Sequence, residues 1–286
     1  MPIENKHKIT KKTLNVAGKL LDLSTPRVMG VLNITPDSFY AGSRFDVSAD
    51  ILQKAYQMVE EGATFIDVGG YSTRPNAADV PESVELERVL PVVELLKKHL
   101  PDAIVSIDTF RANVARQAVE AGAGVINDVS GGTLDAAMFD TVAKLGVPYV
   151  LMHLRGNPQT MAQLNHYQDL TAEVIQELQA QLYKLQQLGA KDIVVDPGFG
   201  FAKNIDQNFE MLNQLEAFEL LERPVLVGIS RKSMIWRTLQ IEPAEALNGT
   251  SVLNTVALLK GAAILRVHDV RQATEAIKLV QQLKNK

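Results

Sequence analysis

Eight short apolar runs in this chain each close on polar residues: Asn33, Asp67, Asp108, Asn127-Asp128, His153, Asp196, Ser230-Arg231-Lys232 and Arg266-Val267-His268. Seven of them pass directly into a helical pattern. Acids, amides and cations thus recur at the same point of a repeating unit. In a parallel (β/α)8 barrel every strand delivers its C-terminal end to one rim, where such folds do their chemistry, so these scattered groups would converge on one mouth. No Ser-His-Asp, HExxH or CxxC arrangement accompanies them, which argues against a hydrolase or a zinc enzyme. Taken singly, each has a plainer use. An acid caps a helix or sits in an ion pair, Asn33 suits a turn before Thr35-Pro36, and Lys232 could form a Schiff base.

The elements that must position these groups are strand candidates at 28–34, 64–68, 104–108, 125–128, 148–152, 193–196, 225–228 and 264–267. Most are nearly continuous apolar runs, as parallel strands covered by helices require. Helical stripes alternate with them. Ile51, Leu52, Ala55, Met58 and Val59 line one face, and further helices read over 111–121, 134–145, 167–188, 204–215 and 270–284. Glycines 62, 122, 146, 189 and 261 stand where helices stop. Strand then helix, without a composition break, predicts one α/β domain: a (β/α)8 TIM barrel over 27–286, after an N-terminal extension and short β-hairpin in 1–26. An open doubly wound sheet is the alternative, but the first strand-to-helix turn carries no GxGxxG. Two connections at the mouth, 35–47 and 69–81, are long and rich in Gly, Pro, Ser and Asp, the character of lids or binding loops.

The chain has 286 residues, a net charge of −4 and a pI near 5.8, which argues against a broad nucleic-acid surface and leaves room for a local basic pocket. It contains no cysteine, so disulfides, iron–sulfur clusters and thiolate zinc sites are excluded and a reducing compartment fits. The opening MPIENKHKITKK is charged and lacks the apolar stretch of a signal peptide. The apolar region 251–267 is broken by Asn254, Lys260 and Arg266, against a membrane span. A cytoplasmic protein with neither nucleic-acid nor membrane partner is expected.

The segments GVLNITPDSF, IDVGGYSTRP, VSIDTFR, INDVSGG, DPGFGFAK, GISRKS and ILRVHDV, in this order from residue 30 to 270, resemble the dihydropteroate synthase family of pterin-binding barrels. The resemblance implies joining of 4-aminobenzoate to (7,8-dihydropterin-6-yl)methyl diphosphate, giving 7,8-dihydropteroate and pyrophosphate. It implies that Asp108, Asn127, Asp196 and Lys232 bind the pterin, Asp196 on its amino and lactam edge. Asp108 would lie near the ring nitrogen that gains positive character as the leaving group departs. The residue types suit that ligand: carboxylates accept from its N–H groups, an amide both donates and accepts, and a cation faces its carbonyl. Arg266-Val267-His268 would grip the diphosphate, with Arg266 also covering one pterin face, and Asn33 would ligate Mg²⁺, which keeps waters and phosphate oxygens for its other positions. Thr73 would contact the diphosphate, while Met152 and Phe201 would flank the ring. Phe39, Arg74 and Pro75 belong to the mouth loops, and Ser233 to the 4-aminobenzoate pocket. His153 is assigned to structure.

Two loops depart from the family pattern. The first reads DSFYAGSRF against the common DSFSDGG, the second GGYSTRPNA against GGESTRPGA, so Tyr40, Ala41, Tyr71 and Asn76 bear on loop behaviour and on the second-substrate pocket. A methyltetrahydrofolate-dependent methyltransferase shares the barrel and the Asp/Asn reader but needs no diphosphate grip, so SRKS and RVHDV argue against it. A non-catalytic pterin-binding paralogue is a third reading. The family also implies a homodimer through the C-terminal barrel helices and a target for sulfonamides. An arylamine is a weak nucleophile needing no strong base, which favours departure of pyrophosphate first.

Overall fold

The computed structural model describes residues 12–34, 44–71 and 80–284. Strands β1 (Thr13–Val16) and β2 (Lys19–Asp22) pair antiparallel as a hairpin. The remaining strands are β3 (Arg27–Asn33), β4 (Phe65–Gly69), β5 (Ile104–Asp108), β6 (Val125–Asp128), β7 (Tyr149–Met152), β8 (Ile193–Asp196), β9 (Leu226–Val227) and β10 (Ile264–Val267). They form one parallel sheet in the order β8-β7-β6-β5-β4-β3-β10-β9. Its ends meet through a parallel bridge between Val195 and Val225 and a bond from the Val195 N–H to the Pro224 carbonyl at 2.9 Å. Closure leaves no exposed edge, the barrel that the strand–helix alternation predicts.

Side chains alternate across each strand, and this period of two sorts the chain into three environments. Inside the barrel, Met29, Phe65, Val125, Val150, Val194, Leu226 and Ile264 make an apolar floor, closed from below by Leu14 and Val16 of the hairpin. Two residues further along the same faces stand Asp67, Ser106, Asn127, Met152, Asp196 and Arg266, with Asn33, Gly69 and Asp108 at the rim. The intervening residues, such as Val28, Ile66, Ile107, Tyr149, Val195, Val227 and Val267, point outward into the core shared with the helices.

The helices are α1 (Arg44–Glu60), α2 (Glu82–His99), α3 (Ala112–Ala121), α4 (Met138–Leu145), α5 (Leu170–Gln187), α6 (Ile205–Asn213), α7 (Ser233–Leu239), α8 (Leu247–Leu259) and α9 (Val270–Lys284). Several begin where the sequence offers a cap: Asp169 accepts from the Ala172 N–H at 3.1 Å, and Asn204 with Gln207 forms a capping box on α6. Three departures matter. Helix α1 already starts at Arg44, so the first mouth connection is shorter than 35–47. Helix α2 occupies a stretch where no helix is predicted. Strand β9 holds two residues rather than 225–228, because the chain leaves the sheet at Gly228 to bring Ser230–Lys232 across the mouth toward α7. Among the described residues no helix is long and apolar enough to cross a membrane.

Candidate active site

Four strand ends bring one polar network together. Arg266, on the inner face of β10, donates through Nε to Asp67 Oδ2 at 2.7 Å and through Nη2 to Asp108 Oδ2 at 2.6 Å. Asn127, from β6, donates its Nδ2 to the same Asp67 oxygen at 2.9 Å. Asp67 is fully buried and its Oδ1 has no hydrogen-bond partner among the described residues. Asp67 closes a strand run in the sequence, where nothing marks a role for it. Here it links the guanidinium to the amide, and the use of Asn127 Nδ2 leaves that residue's oxygen as an acceptor. Burial pushes Asp108 above the usual carboxylate range, Arg266 pulls it down, and Asp67 pushes it up again.

Asp196 stands on the neighbouring side of the mouth. Its Oδ1 accepts from the Gly198 N–H at 2.8 Å. Burial raises its pKa, while Lys232 opposes the shift. Lys232 reaches in from the turn after β9, donates to the Phe199 carbonyl, and holds its Nζ 4.8 Å from the Phe201 ring centre. Burial lowers its pKa to about 8 against the pull of Asp196. Its neighbour Arg231 turns outward instead, with bonds of 2.9 and 2.8 Å to Asp269, so the two cations of SRKS have separate duties. Phe201 and Met152 belong to one apolar cluster with Val129, Leu154, Met161, Ala202 and Phe110, a wall beside the acids.

At the rim His268 is exposed, and Ser230, another residue whose role the sequence does not mark, sets its ring. Ser230 Oγ accepts from the His268 backbone N–H at 3.1 Å and lies 3.0 Å from Nδ1, so its proton goes to Nδ1 and Nε2 carries the ring's hydrogen as a donor. Val267 is different. Its side chain is fully buried among the helices, so it cannot meet a ligand except through its backbone. Ser233 opens α7, and its hydroxyl makes no hydrogen bond to the described residues. Asn33 and Asp108 flank Gly69 at the rim. A Cβ built on Gly69 would come within 3.6 Å of both Asn33 Oδ1 and Asp108 Oδ2, so glycine there keeps a gap open between amide and carboxylate. Phe39, Thr73, Arg74 and Pro75 lie outside the described residues.

Acceptors, an amide oxygen, two half-buried cations and an apolar wall on one barrel mouth define an enzyme that grips a flat heterocycle by its polar edge. Known proteins narrow this. Residues 29–268 match the family described as pterin binding enzyme. Dihydropteroate synthase of Escherichia coli strain K12 is 43% identical over 270 residues, covering 92% of this chain and 94% of that one. Two structures from Xanthomonas albilineans superpose closely. Its dihydropteroate synthase with 4-aminobenzoic acid gives a TM-score of 0.89 at 39% identity, covering 96% of this chain and 99% of that one. The complex with 7,8-dihydropteroate gives 0.85 at 37% identity, covering 95% and 98%. The chain belongs to the pterin-binding enzyme family, and within it to the dihydropteroate synthases.

Proposed function

We propose that this chain condenses (7,8-dihydropterin-6-yl)methyl diphosphate with 4-aminobenzoate, forming 7,8-dihydropteroate and pyrophosphate for folate biosynthesis. The observation that carries the reading is the inner layer in which Asp67, Asp108, Asn127, Asp196, Lys232 and Arg266 meet. Asp196 and the Asn127 oxygen accept from the pterin's amino and lactam N–H groups, Lys232 faces its carbonyl, and Met152 with Phe201 walls the ring. The methylene C–O bond breaks first. Its electron pair leaves with pyrophosphate, and the cation is delocalised into the dihydropterin beside the carboxylate of Asp108. The aminobenzoate nitrogen then forms the C–N bond and gives up its proton. Such catalysis rests on placed charge and exclusion of water more than on a strong base.

The diphosphate meets the donor nitrogen of His268 and the Arg266 nitrogen not committed to Asp67 and Asp108. A divalent cation fits the gap over Gly69. Asn33 offers one amide oxygen, and among the described residues no group of three or more acids or histidines is placed to hold a metal alone. That donor set suits Mg²⁺, which would neutralise charge on the departing pyrophosphate while water and diphosphate oxygens complete its shell. We also assign the protein to the cytoplasm and to a homodimer through α8 and α9. Val252 and Leu259 on one, and Leu279 and Leu283 on the other, are exposed apolar side chains on two helices packed against each other.

The test is pyrophosphate release that requires both substrates, together with calorimetry of the pterin on Asp196→Asn. The variant replaces a carboxylate acceptor by a group that presents a donor, so affinity should fall by one to two decades, from about 1–3 kcal/mol for a mispaired buried group. Unchanged affinity would remove Asp196 from the site, and no turnover by the wild type would leave only a pterin-binding paralogue.

A further inference from the structure

The loop from β8 to α6 is held on every side. Gly198 (φ 73°), Gly200 (φ 79°) and Ala202 (φ 50°) are left-handed, and a Cβ on Gly198 would lie 2.1 Å from the His153 carbonyl oxygen. Side chains collect its carbonyls. Lys203 Nζ donates to Gly198 O at 3.1 Å and to Phe201 O at 3.0 Å, Tyr167 Oη donates to Ala202 O at 2.9 Å, and Lys232 takes Phe199 O. The third Lys203 proton points to His153 Nδ1 at 2.9 Å. His153 Nε2 in turn stands 3.0 Å from Glu177 Oε2, so the neutral ring donates outward and accepts from the lysine. Burial, then Lys203, lowers the His153 pKa to about 4, in keeping with a neutral ring. Arg155 pairs with Glu177 and lies 4.0 Å over the Tyr167 ring, completing the outer bracing.

Lys203 is only 8% exposed, so its three donors have exchanged water for three protein acceptors. An apolar side chain would fill this space without the cost of desolvating a charge. What it could not do is draw the Gly198 and Phe201 carbonyls to one point. That convergence fixes how Phe201 stands beside Lys232 and how the Phe199 carbonyl is aimed at the Lys232 ammonium. We propose that Lys203, held by His153, is a positioning residue for the pterin site, acting through Phe201 and Lys232. The proposal deepens the pterin-synthase reading and rests on it.

The probe is 6-hydroxymethyl-7,8-dihydropterin, titrated by calorimetry into the full chain and into Lys203→Met, His153→Leu and His153→Gln, alongside steady-state kinetics. Lys203→Met should lose about ten-fold or more in pterin affinity, from the loss of two buried bonds to the loop carbonyls. The Michaelis constant for 4-aminobenzoate at saturating pterin diphosphate should move less than the pterin affinity, by no more than about two-fold. His153→Leu leaves the ammonium one acceptor short and should weaken the pterin several-fold. His153→Gln, whose amide can accept from Lys203 and donate to Glu177, should restore it. Should Lys203→Met not fold, the two His153 variants decide, and equal pterin affinities would overturn the proposal. So would parallel losses of melting temperature, pterin affinity and aminobenzoate Michaelis constant. A wild-type chain that neither binds the pterin nor turns over would defeat the functional reading instead.

Discussion

Asp67→Asn isolates the charge of the inner layer from its shape. Asparagine keeps one oxygen where Asp67 Oδ2 serves Arg266 and Asn127, and places its amide nitrogen at the position of the unpartnered Oδ1. Volume and the oxygen in use are preserved; the negative charge goes, and two N–H donors replace the acceptor at the unpartnered position. Arg266 then faces one anion instead of two and draws Asp108 more firmly to itself, away from the pterin. A hydrogen bond to a charged group contributes about 1.5–3 kcal/mol, so losing its charge component should cost about 2 kcal/mol, or roughly thirty-fold in kcat/KM for the pterin diphosphate. Pyrophosphate affinity should hold or rise, because the guanidinium is less neutralised. The pH profile supplies a second sign. Asp67 is one of the groups pushing the Asp108 pKa up, so its neutralisation should move the acid limb of pterin binding to lower pH. Calorimetry across pH 5–9 reads both. Wild-type pterin affinity, or an acid limb that stays in place or moves up, would show that Asp67 only fills space.

Three further outcomes are expected. Lys232 is charged below its lowered pKa of about 8 and neutral above it, so wild-type pterin affinity should decline as pH rises through 8 to 9, whereas Lys232→Met should bind weakly and without that alkaline limb. Because its folded pKa lies below the usual 10.5, this lysine's desolvation penalty is relieved over the same interval, so the group should not lower thermal stability there. Leu14→Ala empties part of the barrel floor, where Leu14 is 1% exposed, and should cost about 3 kcal/mol by denaturant unfolding with kcat unchanged; a stability loss below about 1 kcal/mol would mean that the hairpin does not brace the barrel. Excess chelator should abolish pyrophosphate release and added Mg²⁺ restore it, with Asn33→Ala raising the Mg²⁺ requirement, and full activity in chelator would remove the metal assignment.

The strands were legible because a buried parallel strand is an apolar run with a hard polar end. The boundaries 104–108, 125–128, 193–196 and 264–267 therefore coincide with β5, β6, β8 and β10. Helix α2 was not, since Pro91 interrupts its pattern and the helix tolerates it. The acids and cations of the mouth could be named as a set, but their partnerships could not. Arg266 meets Asp67 across 199 residues of sequence, and only closure of the ring tells which of several strand-end carboxylates faces it. Ser230 was hidden for the same reason: a serine beside two cations carries no sign that it will orient a histidine 38 residues on.

Register explains the remaining mismatches, and it does so in pairs. Asn127 faces the mouth, while Asp128 faces the helices and accepts from Tyr149 Oη at 2.7 Å and Ser130 Oγ at 2.7 Å. Met152 joins the apolar wall, while His153 turns outward to Glu177. Arg266 holds two carboxylates, while Val267 packs under the helices. In each pair the two residues are neighbours in sequence at a strand end, and the pleat sends them to opposite faces. A motif therefore marks a strand end, not a list of ligand contacts. Its outward members keep the strand ends in place, and a substitution at Asp128 should act first on folding, whereas one at Asn127 should act first on the pterin.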